Sequence, residues 1–199
     1  NMMRHGEGFE TSPAPNRNAS YGDSIMATKA LPSPEVLRQL LRYEPDTGRL
    51  FWLPRPDSSP QWNAKYAHKE ALTSSHNGGY RHGSILWVSC LAHRVIMAME
   101  TGAWPANDVD HINGDRTDNR RANLRLATRS ENLRNTGVKA SSRSGIKGVT
   151  FHTARNKWVA QIRAGGENHR LGYFKCRTAA MVAYVKANRA LHGEFGRIA

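Results

Sequence analysis

An acid and a histidine stand side by side at Asp110 and His111, a turn signature follows at Asn113, Gly114 and Asp115, and two asparagines come later at Asn123 and Asn132. In that order these residue types meet the needs of one-metal phosphodiester cleavage. A carboxylate holds a hard cation, an imidazole takes a proton from water, and amides complete and orient the site. Each residue also has a plainer reading: Asp110 as a turn acid, Asn123 as an Asx-turn residue, Asn132 as a helix-surface amide. It is their occurrence together, beside an arginine-rich loop, that points to chemistry. Arg116, Arg120, Arg121, Arg125, Arg129 and Arg134 read as phosphate contacts, although a solvated basic face has the same composition.

Such residues need elements to bring them together. Asn107 to Asp110 reads as a short strand, the Asn113-Gly114-Asp115 turn and a polar loop follow, and Asn123 opens a second strand through Leu124, Leu126 and Ala127. Thr128 or Ser130 then caps a helix containing Glu131, Asn132, Leu133 and Asn135. Strand, loop, strand and helix let the carboxylate face an amide on the first helical turn. Upstream, Ser33-Pro34-Glu35 opens a helix that ends near Arg42 to Tyr43, Arg49 to Leu53 reads as a strand, and residues 54–78 as a long loop. A strand pair around Tyr80 to Val88 precedes a helix from Leu91 to Thr101 with Gly102 as its C-cap. His93 on that helix reads as a packed or orienting residue rather than a catalytic one.

The composition narrows the partners. The chain has 199 residues, a formal charge of +13 and 8% aromatic residues. Residues 140–199 carry eleven Lys and Arg against Glu167 and Glu194, a net +9, and so form the electrostatic footprint. No run of about 18 apolar residues exists, so nucleic acid is a better partner than a membrane. Cys90 and Cys176 are far apart and outside any metal-ligand spacing, and both read as small buried hydrophobes in a reducing, intracellular setting. Residues 1–30 read as a disordered or non-native leader, with Met26 a candidate natural start.

The ordered set from Val109 to Asn135, with Leu41-Arg42-Tyr43-Glu44-Pro45-Asp46-Thr47-Gly48, Ala92-His93-Arg94 and Gly102-Ala103-Trp104-Pro105 before it, resembles the HNH (ββα-metal) endonucleases, in particular the phage and intron-homing branch that ends its motif in asparagine. The resemblance implies that Asp110 and Asn132 ligate a divalent ion, that His111 is the general base, and that Asn123 bonds across the loop and orients His111. Asn119 is a second candidate for that orienting role, and Asp115 and Asp118 shape the loop. Hard oxygen donors favour Mg2+ or Mn2+ over zinc.

After a basic, Ser- and Gly-rich stretch at 136–144, three strand-like runs (Ile146 to His152, Lys157 to Ala164, Asn168 to Phe174) precede a helix from Thr178 to Leu191. Gly145-Ile146-Lys147-Gly148-Val149, Lys157 through Arg163, Leu171-Gly172-Tyr173-Phe174 and the helix ending in His192-Gly193-Glu194-Phe195 resemble the ethylene-response-factor-type (APETALA) DNA-binding domain. That likeness implies a sheet lying in the major groove, with Lys147, Thr150, His152, Gln161, Arg163, Asn168 and Arg170 facing DNA and Trp158, Ile162 and Phe174 in the core beneath. Thr150, His152 and Arg170 depart from the plant factors, so no target sequence carries over.

The expected fold class is α+β: an HNH nuclease unit at 31–135 with its ββα core at 107–135, a linker at 136–144, and at 145–199 a small three-stranded antiparallel sheet with one packing helix. The expected function is a metal-dependent DNA endonuclease, nicking or cutting both strands. It would act on double-stranded DNA without a small-molecule cofactor, as a monomer or weak dimer, in the cytoplasm of a bacterial host and encoded by a phage or mobile element. The alternative is a non-catalytic DNA-binding regulator that keeps the scaffold. An RNA-directed nuclease is a weaker reading, since no aromatic base-stacking signature of the usual RNA modules is present.

Overall fold

A computed structural model describes residues 30–138 and 141–198, so the expected leader at 1–30, residue 30 apart, lies outside the described residues. The first helix, α1 (Pro34–Leu40), is capped by Ser33, whose hydroxyl accepts from the Val36 amide. The chain then enters β1 (Leu41–Glu44) directly, where the sequence predicts a helix end and a turn. Leu41 to Glu44 pair in antiparallel register with β2 (Arg49–Trp52), and that ladder captures the residues. Residues 54–78 hold more than a loop: α2 (Pro60–Tyr66) begins with a Ser59-Pro60 cap of the same kind as Ser33-Pro34, and β3 (Glu70–Ala71) and β4 (Ser74–Ser75) follow.

β5 (Arg81–Ile85) and β6 (Val88–Leu91) form a hairpin through Leu86 and Trp87, both with positive φ. Helix α3 (Ala92–Thr101) stops at left-handed Gly102, as the sequence predicts. Seven of its ten residues are buried, so it is the centre of the larger core and not an amphipathic surface helix. Its own Val95 and Ile96 and, from other elements, Leu37 and Ile85 are at 0% exposure in this core, each burial contributing about 2 kcal/mol.

The ββα element lies against this core. β7 (Asp108–His111) pairs antiparallel with β8 (Leu124–Ala127), and α4 (Arg129–Asn135) returns across β7. A second core belongs to the C-terminal sheet, in the order β11 (Glu167–Phe174), β10 (Lys157–Ala164), β9 (Val149–His152), backed by α5 (Arg177–His192). Val149, Ala160, Ile162, Ala180 and Tyr184 are its buried centre, and Trp158 and Phe174 pack against it as predicted. The whole is α+β, as expected. Cys90 is buried as expected, whereas Cys176 departs from expectation: it is exposed, and its thiol caps α5 by accepting from the Ala179 amide. No helix among the described residues is long and apolar enough to cross a membrane.

Candidate active site

Asp110 and His111 sit at the end of β7, each only 4% exposed. The register puts Asp110 opposite Arg125, and two guanidinium nitrogens reach the same carboxylate oxygen at 2.9 Å. From the last turn of α4, the Asn135 amide donates to both Asp110 oxygens, at 3.0 and 3.1 Å, and to the His111 carbonyl at 2.7 Å. One turn earlier Asn132 donates to Asp108 at 2.8 Å. That hydrogen bond, assisted by Arg129, holds the Asp108 carboxyl below its usual pKa.

The His111 ring is fixed by Asn119, whose amide oxygen lies 2.9 Å from Nε2. An amide oxygen can only accept, so Nε2 carries the proton and Nδ1 keeps its lone pair. Burial moves the His111 pKa below its ordinary value, against the opposing pull of Asn119 and nearby carboxylates. Tyr80 and His93 pack on this ring at centroid distances of 5.8 and 5.1 Å. Burial, with the His111 and Arg94 charges adding to it, pulls the His93 pKa down to about 3, so it stays neutral at any working pH. Asp110, His111, Asn132 and Asn135 share the wall of one cavity of about 80 Å³.

Residues 90–134 match the family model described as HNH endonuclease. Over 91 residues, 45% of this chain and 73% of the relative, the sequence is 35% identical to Protein 3.8 of Escherichia phage T7. The chain belongs to the family of that phage protein and holds an HNH endonuclease domain. No solved structure matches it.

Within the HNH domain the second candidate, Asn119, holds the imidazole, and Asn135, which had no assigned role, meets the carboxylate. The imidazole contact expected of Asn123 is made by Asn119, which is 1% exposed. Asn123 instead staples the loop, accepting from the Asn113 amide at 2.9 Å and donating to the Asp118 carbonyl at 2.7 Å. The reason is register: Leu124 pairs with His111, so Asn123 falls just before the strand in a 3-10 turn and faces the loop. Likewise Asn135, not Asn132, meets Asp110. Thr128 starts α4, and this phase lays the helix's final turn over the end of β7. Asn135 lies three residues after Asn132, on the same helix face, which was the signal available in the sequence. Asp115 and Asp118 do shape the loop: Asp115 accepts from Thr117, and Asp118 is held by Arg120 at a pKa of about 2.

The upstream motifs also find their use. The Tyr43 hydroxyl donates to the Asn119 carbonyl at 2.9 Å, and a Cβ on Gly48, at φ +74°, would lie 2.5 Å from the Asn119 backbone. Arg94 donates to the carbonyls of Pro105 and Asn107, fixing the approach to β7.

Several arginines expected on phosphates are committed inside the molecule. Arg120 pairs with Asp118, Arg121 lies 3.7 Å from Glu100, and Arg125 is buried on Asp110, because loop and strand geometry puts carboxylates within their reach. Arg129 bridges to Asp108 while staying mostly exposed. Arg116 donates to the Gly78 carbonyl and stacks over Tyr80. In the C-terminal unit Lys147 also departs from expectation: its ammonium donates to the carbonyls of Arg134 and Thr136, because the end of α4 presents unpaired acceptors there. Thr150, Gln161, Arg163 and Asn168 are exposed. His152 is half-buried against Tyr173, and Arg170 donates to the Tyr173 hydroxyl at 3.1 Å. Gln161, Arg163 and Asn168 share a groove of about 760 Å³ with Arg129 and Arg134 of α4.

Among the described residues no group of three or more His, Cys, Asp or Glu is arranged to hold a metal ion. The oxygens at the small cavity, one carboxylate with neighbouring amides, fit a hard divalent ion that takes the rest of its shell from water and phosphate.

Proposed function

We propose that the chain is a divalent-metal-dependent DNA endonuclease. The observation that carries this reading is the buried Asp110-His111 pair at the end of β7, with His111 held by Asn119 and both facing a cavity shared with Asn132 and Asn135. His111 is the general base: Nδ1 takes the proton of the attacking water, and the imidazole is neutral near pH 7 because burial lowers its pKa. Asp110 and Asn132 would hold the ion, Mg2+ or Mn2+, with Asn135 keeping the carboxylate in place. When bound, the ion supplies Lewis-acid stabilisation of charge on the phosphate oxygens. The C-terminal sheet supplies affinity for double-stranded DNA, through Gln161, Arg163 and Asn168 with Thr150, His152 and Arg170 beside them, and Arg134 extends that surface onto the nuclease helix.

The Arg125-Asp110 ion pair favours a second reading, a DNA-binding regulator whose carboxylate serves structure. Plasmid cleavage separates the two. With Mg2+ the native chain is expected to convert supercoiled DNA to nicked or linear forms, and His111→Ala to bind DNA but cleave at least 100-fold more slowly. Undiminished cleavage by that variant excludes His111 as the base.

A further inference from the structure

The nuclease pocket is not closed by the HNH domain alone. Its wall includes Arg197, which lies beyond α5 of the C-terminal unit, as well as Arg116. The Arg197 guanidinium donates to the Asn113 carbonyl at 3.1 Å. It lies so close over Gly114 that a Cβ there would collide with Nη1. Three further contacts seat this tail. Buried Asn188 donates to the Gly196 carbonyl at 2.7 Å, the Phe195 ring packs 3.8 Å under the Arg125 guanidinium, and Arg125 also donates to the Glu194 carbonyl at 3.2 Å. Since Arg125 is bound to Asp110, the tail is coupled to the site's own carboxylate through one side chain.

We propose that Arg197 is a substrate-binding residue of the nuclease pocket, delivered by the C-terminal unit to hold the scissile phosphate against His111. A guanidinium presents a planar fork of N–H donors that matches two phosphate oxygens, and on the wall of a small cavity its charge lies within reach of a phosphate placed there. Arg116, stacked on Tyr80, lines the same cavity, so two cations share its wall with Asp110 and His111. The C-terminal unit then does more than raise the local DNA concentration: it completes the pocket. This inference rests on the nuclease reading above.

The test uses the full chain, supercoiled plasmid and saturating Mg2+, with DNA affinity measured separately by fluorescence anisotropy in EDTA. Arg197→Ala is expected to lower kcat by 10- to 100-fold while DNA affinity changes less than threefold, and Arg197→Lys to recover part of the rate because the charge is kept and the fork lost. Thermal melts of both variants report folding, and the lysine variant keeps the test decisive if the alanine variant melts early. Wild-type kcat in both variants beside an inactive His111→Ala overturns the role of Arg197 alone. Wild-type cleavage by His111→Ala removes His111 as the base, and with it the placing of the phosphate against that ring, whereas no Mg2+-dependent cleavage by the native chain overturns the nuclease reading, and the inference with it.

Discussion

At the scale of single residues the site depends on two neutral imidazoles with different duties. As the proposed base His111 uses its free Nδ1, and cleavage should rise with pH along a limb centred below the ordinary 6.5, since burial lowers its pKa. Asn119 opposes that shift by accepting from Nε2. Asn119→Ala should therefore move the limb to still lower pH and reduce kcat about tenfold through loss of ring orientation, which a pH–rate profile measures. His93 has a stability signature instead. Its folded-state pKa of about 3 lies below the 6.5 of the unfolded chain, so between those values only the unfolded chain takes up the proton. The stability it contributes is complete above pH 6.5 and is lost as pH falls towards 3. Urea midpoints measured across that window should drop steeply in the native protein and less steeply in His93→Phe.

At the scale of elements, α4 is too short to hold together by itself, with seven residues, yet it carries Asn132 and Asn135. Its capping box is complete: the Thr128 hydroxyl accepts from the Glu131 amide, and the Glu131 carboxylate accepts from the Thr128 amide. Thr128→Ala should cost about 1 kcal/mol in chemical denaturation and lower cleavage without changing DNA affinity. The β1-β2 turn acts at longer range. Because Gly48 lies against the Asn119 backbone, Gly48→Ala should displace Asn119 from His111 and reduce kcat more than a surface-turn substitution would. Recovery of wild-type kcat in that variant would show that the turn does not support the site.

At the scale of the whole molecule, most of the positive charge and the HNH site sit in adjoining units that share a groove. The net +9 of residues 140–199 should make DNA binding strongly salt-dependent. Arg163→Ala should reduce the slope of log affinity against log salt by about one, whereas Gln161→Ala, which removes no charge, should weaken affinity and leave the slope unchanged. Titrations at several salt concentrations distinguish the two outcomes.

The sequence by itself determined the class of the fold, the Asp110-His111 pair on a strand end, a cap at Thr128 or Ser130 for α4, the left-handed stop at Gly102 and the three strands and one helix of the C-terminal unit. Each is encoded by short-range chemistry: alternation of apolar residues, caps, and turn residues that tolerate positive φ. It did not determine which asparagine meets which partner. That depends on the β7-β8 register and the phase of α4, where a shift of one residue exchanges faces, and Asn119, Asn123, Asn132 and Asn135 are chemically identical until the backbone aims them. Nor did composition distinguish an arginine awaiting phosphate from Arg125 buried on a carboxylate. Only the tertiary structure brought Arg197 beside Asn113, a contact spanning 84 positions of chain that exists because the C-terminal unit docks on the nuclease core.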